Sequence, residues 1–152
     1  MRRLLGAVPP LPFVAAVAVA WALDALWPVD VPLGRPAGVA ILVAGVALDG
    51  WSIATMLRAG TSPVPSRATS RVVTWGPYAW SRNPIYVAHG LVALGLGLAL
   101  WGTAWALLGA ALAWWATNRW TAPFEEEQLS RLFGAEYEAY SKAVGRWWGR
   151  DG

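Results

Sequence analysis

Long apolar runs separated by short polar breaks set the pattern of this chain. The first run, residues 11–27, follows Pro9, Pro10 and Pro12, which a helix tolerates only before or within its first turn. A second run, residues 37–57, begins after Pro36 and carries a single charge, Asp49. A third apolar stretch, from Ile85 to Trp120, is too long for one crossing of a bilayer, since about 20 residues suffice. Gly102-Thr103 breaks it, and a tight turn there sets two helices antiparallel, residues 85–101 and 103–120. The expected fold is therefore all-α: an integral membrane helix bundle of about four transmembrane helices in a single domain.

Two segments differ from these runs. Residues 58–84 contain Gly60, Pro63, Pro65, Gly76 and Pro77, which forbid one continuous helix. They also hold Val72, Val73, Trp75, Tyr78 and Trp80, too many large apolar groups for a solvated linker, so the segment is expected to dock on the bundle or the headgroup layer. From Pro123 to about residue 145, Leu129, Leu132, Phe133, Tyr140 and Val144 recur at helical spacing and predict a C-terminal amphipathic helix. Glu127 with Arg131 and Glu138 with Lys142, each four apart, support it by about 0.3 kcal/mol per pair.

Charge placement orients the bundle. With four crossings, the N-terminus, the 58–84 segment and the tail share one side, and they carry all the Lys and Arg residues except Arg35. That asymmetry puts both termini in the cytoplasm. Trp27, Trp75, Trp80, Trp101, Trp120, Trp147 and Trp148 fall near span ends, as an interfacial belt requires. Arg2, Arg3 and Ala18-Val19-Ala20 imitate a signal peptide, but the apolar run continues to Trp27, which favours a retained span.

Composition narrows the chemistry. With 57% hydrophobic and 14% charged residues and a mean hydropathy of +0.41, the chain does not read as an ordinary soluble domain. The absence of cysteine excludes disulfides and thiolate chemistry, and a single histidine excludes a multi-histidine metal site, so no metal is expected. The sequence pI near 9.8 comes from scattered basic residues, which fit a membrane better than nucleic acid.

Polar information concentrates in two places. In Gly76-Pro77-Tyr78-Ala79-Trp80-Ser81-Arg82-Asn83-Pro84-Ile85-Tyr86, Asn83 suits an N-cap and Pro84 the first helical residue. Arg82, Tyr86 and His89 then share one helix face, a stripe too costly to point at lipid. The second place is Glu125-Glu126-Glu127 at the start of the tail helix. Acidic residues there could simply favour the helix dipole, or they could build, with Arg82 or Arg119, a site for a zwitterionic ligand. Asp49, the remaining intramembrane charge, reads either as a cation or proton site of a small four-helix transporter or as a structural partner of a Trp or Tyr in the bundle.

These blocks, Gly76-Pro77-Tyr78 and Arg82-Asn83-Pro84-Ile85-Tyr86, followed by Glu125-Glu126, Leu129, Phe133-Gly134, Tyr137, Tyr140 and Arg146-Trp147, resemble the isoprenylcysteine carboxyl methyltransferase and phospholipid methyltransferase group of integral membrane enzymes. The resemblance runs from about Thr61 to Trp148. It implies methyl transfer from S-adenosylmethionine to a lipophilic acceptor, with the cofactor held between the cytoplasmic helix ends and a folded-back tail. Arg82 and Glu126 become the catalytic candidates. Tyr78, Arg82, Asn83, Pro84, Tyr86, His89, Glu125, Glu126, Tyr137 and Tyr140 become the cofactor-binding candidates, and membrane lipids the expected surroundings. Asn83 replaces the group's common histidine and Ala88 its usual glycine. A glutamate suits the cofactor's ammonium, an arginine its carboxylate and an aromatic ring its sulfonium. Gly95-Leu96-Gly97, inside a span, reads as a helix-packing surface rather than a cofactor loop.

Overall fold

The computed structural model describes residues 11–63 and 70–149. The expectations placed on Arg2, Arg3, Pro9, Pro10 and Pro65 lie outside them. Helices α1 (Leu11–Leu26), α2 (Gly34–Arg58), α3 (Pro84–Trp101) and α4 (Trp105–Ala116) form the bundle, and α5 (Ala122–Phe133) and α6 (Ala135–Ala143) form the tail. A short 3-10 turn, Gly76–Ala79, precedes α3. Among the described residues there is no strand beyond an isolated bridge between Asp30 and Thr103.

Small residues set the packing. On α2, Gly38 and Gly45 lie against the backbone of α3 at Leu98 and Val92, and Gly95 of α3 lies against Leu42 of α2. A side chain at any of these positions would collide with main chain, so the two helices touch backbone to backbone. Gly97 meets Ala106 of α4, and Gly109 of α4 meets Ala16 of α1. This is how apolar helices associate where lipid offers no hydrophobic drive, and it confirms the packing role expected of Gly95 and Gly97. The large apolar groups point outward instead: Val39, Val43 and Val46 on α2 and Leu107 and Leu112 on α4 are exposed. So apolar an exterior suits a membrane.

Two helices, α2 and α3, are long and apolar enough to cross a bilayer. Helix α1 is apolar but shorter, at 16 residues. It runs unbroken through Ala18-Val19-Ala20. At one end of the bundle the α1–α2 and α3–α4 connections are laced together. The amides of Val31 and Ala104 donate to Gly102 and Val29 carbonyls at 2.7 and 2.8 Å, and Trp105 Nε1 donates to the Trp27 carbonyl at 2.6 Å. Gly102, at φ +69°, closes α3 and makes the antiparallel turn expected from the sequence.

The opposite end departs from expectation. Helix α4 does not stop before the tail. It runs on through a π-turn, Thr117–Thr121, directly into α5, with the Ala122 amide donating to the Thr117 carbonyl five residues back. Thr117 Oγ1 bonds the Ala113 carbonyl at 2.8 Å, and the widened turn accommodates Pro123 without breaking the rod. Pro123 thus stands in the first turn of α5, as expected, without interrupting the rod. The tail breaks later, at Gly134, where φ +51° and ψ −123° suit glycine alone. The expected tail helix is two helices, and the exposed Leu132 does not share the apolar face formed by Leu129, Phe133, Tyr137, Tyr140 and Val144. Of the two expected surface pairs, Glu127–Arg131 forms at 2.5 Å and Glu138–Lys142 does not.

The segment before α3 docks as expected. Val73 packs with Ala59, Met56 and Tyr78, Val72 joins the apolar face of the tail, and Trp80 meets Trp51 edge-on. Trp27, at the laced end, and Trp75, Trp80, Trp120 and Trp148, at the opposite end, are exposed as belt residues would be. Trp147 is not one of them: it stacks on Trp114 with ring centres 4.2 Å apart.

Candidate functional site

The chain folds its tail over the start of α3, and three sets of contacts hold it there. The Arg82 amide donates to the Gly145 carbonyl at 3.1 Å, and Ser81 Oγ and Asn83 Nδ2 both donate to the Arg146 carbonyl, at 3.2 and 3.3 Å. Tyr140 donates its hydroxyl to the Tyr78 carbonyl at 2.8 Å. Trp147 Nε1 donates to Asn118 Oδ1, on the π-turn, at 2.9 Å. Asn83 does sit at the N-cap position with Pro84 behind it, but its side chain does not cap α3; it is diverted to the tail. Because the Tyr140–Tyr78 bond is buried, Tyr140→Phe is expected to cost about 1 kcal/mol. A lowered unfolding midpoint in detergent, with the helix content unchanged, checks it.

Glu126 lies at the centre of the docked surface. Its carboxylate takes a two-point hydrogen bond from Arg146, Nε to Oε1 at 2.9 Å and Nη2 to Oε2 at 2.7 Å, and an ion pair from Arg82 at 3.3 Å. Arg82 also reaches Tyr137. The hydrogen bonds to Glu126 hold the Arg146 proton even more firmly than usual, against the opposing effect of burial. Arg146 is the residue that sequence reasoning left out of the site, although it stood in the C-terminal motif. Asn118 carried no sequence signal, because its role depends on the π-turn. Arg119, a candidate for a carboxylate ligand, is exposed on that turn and makes no ion pair among the described residues.

Glu125 points elsewhere. It is largely enclosed, faces the Tyr86 hydroxyl and, among the described residues, pairs with no cation. Burial pushes its carboxyl above the ordinary range; the Tyr86 contact works against this and the neighbouring Glu126 adds to it. Since α5 continues from α4, these glutamates do not stand at a free helix N-terminus. The helix dipole therefore does not account for them. Burial likewise raises the phenols of Tyr78, Tyr137 and Tyr140, so all three stay neutral donors at physiological pH.

Deeper along α3, His89 Nε2 lies 3.7 Å from Asp49 Oδ1 on α2. The partner of Asp49 is thus this histidine, not the Trp or Tyr expected. Phe13 and Tyr86 flank the imidazole with ring centres 5.9 and 6.3 Å away. Among the described residues, Tyr78 and Tyr86 hydroxyls, Arg82 Nε, His89 Nδ1 and Asp49 Oδ1 are buried without a hydrogen-bond partner. Five such atoms at one end of a bundle mark a surface made for a polar ligand. An apolar groove of about 400 Å³, lined by Val14, Val17, Ala18, Trp21, Leu96 and Trp101, opens instead toward the laced end. No group of metal-ligating side chains forms among the described residues.

The bundle is apolar outside and keeps its polar groups converged toward one end. The chain belongs to the phospholipid methyltransferase family: the model of that family matches residues 34–136, from the first residue of α2 into α6. No curated protein and no solved structure shows a significant match. The match bears out the resemblance read from the motif blocks and makes the chain a member of a family of methyltransferases acting on lipid-related substrates. Nothing found supports the transporter alternative.

Proposed function

We propose that this protein transfers a methyl group from S-adenosylmethionine to a lipophilic acceptor at the cytoplasmic face of a membrane, which it crosses four times. The observation that carries this reading is the fold-over of the tail. It sets Glu126 of α5 against Arg82 at the mouth of α3, with Glu125 and Tyr86 beside them.

The residues present fit the cofactor. Its ammonium needs a carboxylate, its carboxylate a guanidinium and its sulfonium an electron-rich ring. Glu126 is engaged by two arginines, so it acts as the anchor of the site. Glu125, enclosed and without a cation among the described residues, is the carboxylate for the ammonium. Arg82, whose Nε is free among the described residues, takes the carboxylate; Tyr78 offers a phenol with an unused hydroxyl, and Tyr86 an aromatic ring beside Glu125. Asn83, Pro84, Tyr137 and Tyr140 build the wall by holding the tail to α3. When bound, the cofactor supplies an activated methyl group. The chain's own task is to hold the acceptor in line with it and to exclude water, and the close packing of tail on α3 serves both. A four-span topology with the basic residues on one side supports a site at the cytoplasmic surface, open laterally to lipid.

The raised carboxyl of Glu125 gives this reading a pH signature. An ammonium ligand favours the ionised form, so cofactor affinity is expected to fall as pH drops through the raised Glu125 value, at higher pH than an ordinary carboxylate would give. Affinity measured as a function of pH checks this. Glu125→Gln should bind weakly at every pH and lose the dependence; a variant that keeps the wild-type profile contradicts the assignment.

A further inference from the structure

Asp49 and His89 remain outside the cofactor set just described, although the resemblance implied a cofactor-binding role for His89. They meet across the glycine-packed seam of α2 and α3, one turn deeper along α3 than Tyr86. Their separation of 3.7 Å suits an ion pair but is too long for a hydrogen bond, and His89 Nδ1 has no partner. Both side chains keep about a quarter of their surface open. The titratable groups near the pair are Tyr86 on α3, its ring centre 6.3 Å from the imidazole, and Tyr78 from the 3-10 turn, which feels the Asp49 charge; α1 presents the apolar Phe13, and Glu125 from α5 faces Tyr86. Asp49 is thus the charge nearest the imidazole, and it opposes a carboxylate acceptor while favouring a cation.

We infer that His89 accepts a proton from a lipophilic amine before methyl transfer and that Asp49 positions the imidazole and offsets its charge. This rests on the methyltransferase reading above. A carboxylate acceptor would need no base, whereas an ammonium has no lone pair to attack with. One N–H proton passes to the unprotonated ring nitrogen of His89. The freed lone pair forms the N–C bond to the donor methyl while the C–S bond breaks, its electrons going to sulfur. Positive charge passes from the sulfonium to the methylated ammonium, and His89 later releases its proton to water.

His89 is the only histidine in the chain, so its ring can be read directly by NMR of histidine-labelled, His-tag-free protein in nanodiscs. The ring is expected to titrate in the wild type about one pH unit or more above its midpoint in Asp49→Asn. With phosphatidylethanolamine as the probe, His89→Gln is expected to lose about 100-fold or more of the rate at pH 7. The rate should recover as pH approaches that at which the ammonium loses its proton unaided, and S-adenosylmethionine binding by calorimetry should stay within about twofold. Equal midpoints in wild type and Asp49→Asn, an undiminished rate in His89→Gln at pH 7, or a loss independent of pH overturns the inference. So does a wild type that binds the donor yet methylates no amine. Failure of the wild type to bind S-adenosylmethionine at all would instead remove the reading on which the inference stands.

Discussion

Glu126→Ala is expected to free the tail from α3 and to reduce methyl transfer by 100-fold or more. The substitution removes the one carboxylate shared by Arg82 and Arg146, whose side chains are only 15% and 32% exposed. Two guanidiniums of like charge would then face each other, half-buried and unpaired. Breaking a buried pair from one side costs about 3–5 kcal/mol; the wetter edge at Arg146 brings the expected cost nearer about 3. Such a loss corresponds to roughly 100-fold in the docked population. Limited proteolysis of the 134–149 segment should accelerate by a similar factor while α2 and α3 stay protected. Glu127→Ala, at a side chain 60% exposed and paired with Arg131 on the surface, should change either readout by less than about twofold.

The second large effect concerns the seam. Gly95→Ala is expected to destabilise the bundle by about 3 kcal/mol, because the added Cβ would lie 2.5 Å from the Leu42 amide nitrogen and 2.7 Å from its Cα. Both are main-chain atoms, so no rotamer change relieves the clash; α2 and α3 must separate along their whole contact. Gly50→Ala is the same chemical change on α2 where nothing lies within 4 Å. There the substitution should be neutral or stabilise by up to about 1 kcal/mol through the lower chain entropy of alanine. Opposite signs in a denaturant titration of the two variants would confirm the backbone contact; equal signs would argue against it.

What the sequence reveals of this molecule depends on whether the signal is local. Apolar run length located α1, α2 and α3, because a bilayer imposes its thickness on each span separately. Gly102 announced its turn, and the apolar content of the 58–84 segment announced its docking. Pro123 marked where α5 begins but not that α4 runs into it, since proline conflicts with a continuing helix only if the preceding turn is α-helical. The π-turn at Thr117–Thr121 removes that conflict, and no periodicity in the sequence marks it. The same holds at the site. Arg82 and Glu126 stood out as charges beside apolar runs, and the fold brings them within 3.3 Å. Arg146 and Asn118 acquire their roles only after the tail turns at Gly134 and returns across α3. Asp49 was conspicuous as a charge in a span, yet its partner lay on another helix, and a single sequence carries no register between helices.

The fold-over claim is tested most directly by isothermal calorimetry of S-adenosylmethionine with the solubilised protein and three variants. Wild type and Arg119→Ala should give the same heat and affinity, since Arg119 is exposed and outside the ion-pair cluster. Arg82→Ala and Glu126→Gln should give no measurable binding. Equal heats from all four proteins would contradict the site described here, and silence from the wild type would contradict the methyl donor itself.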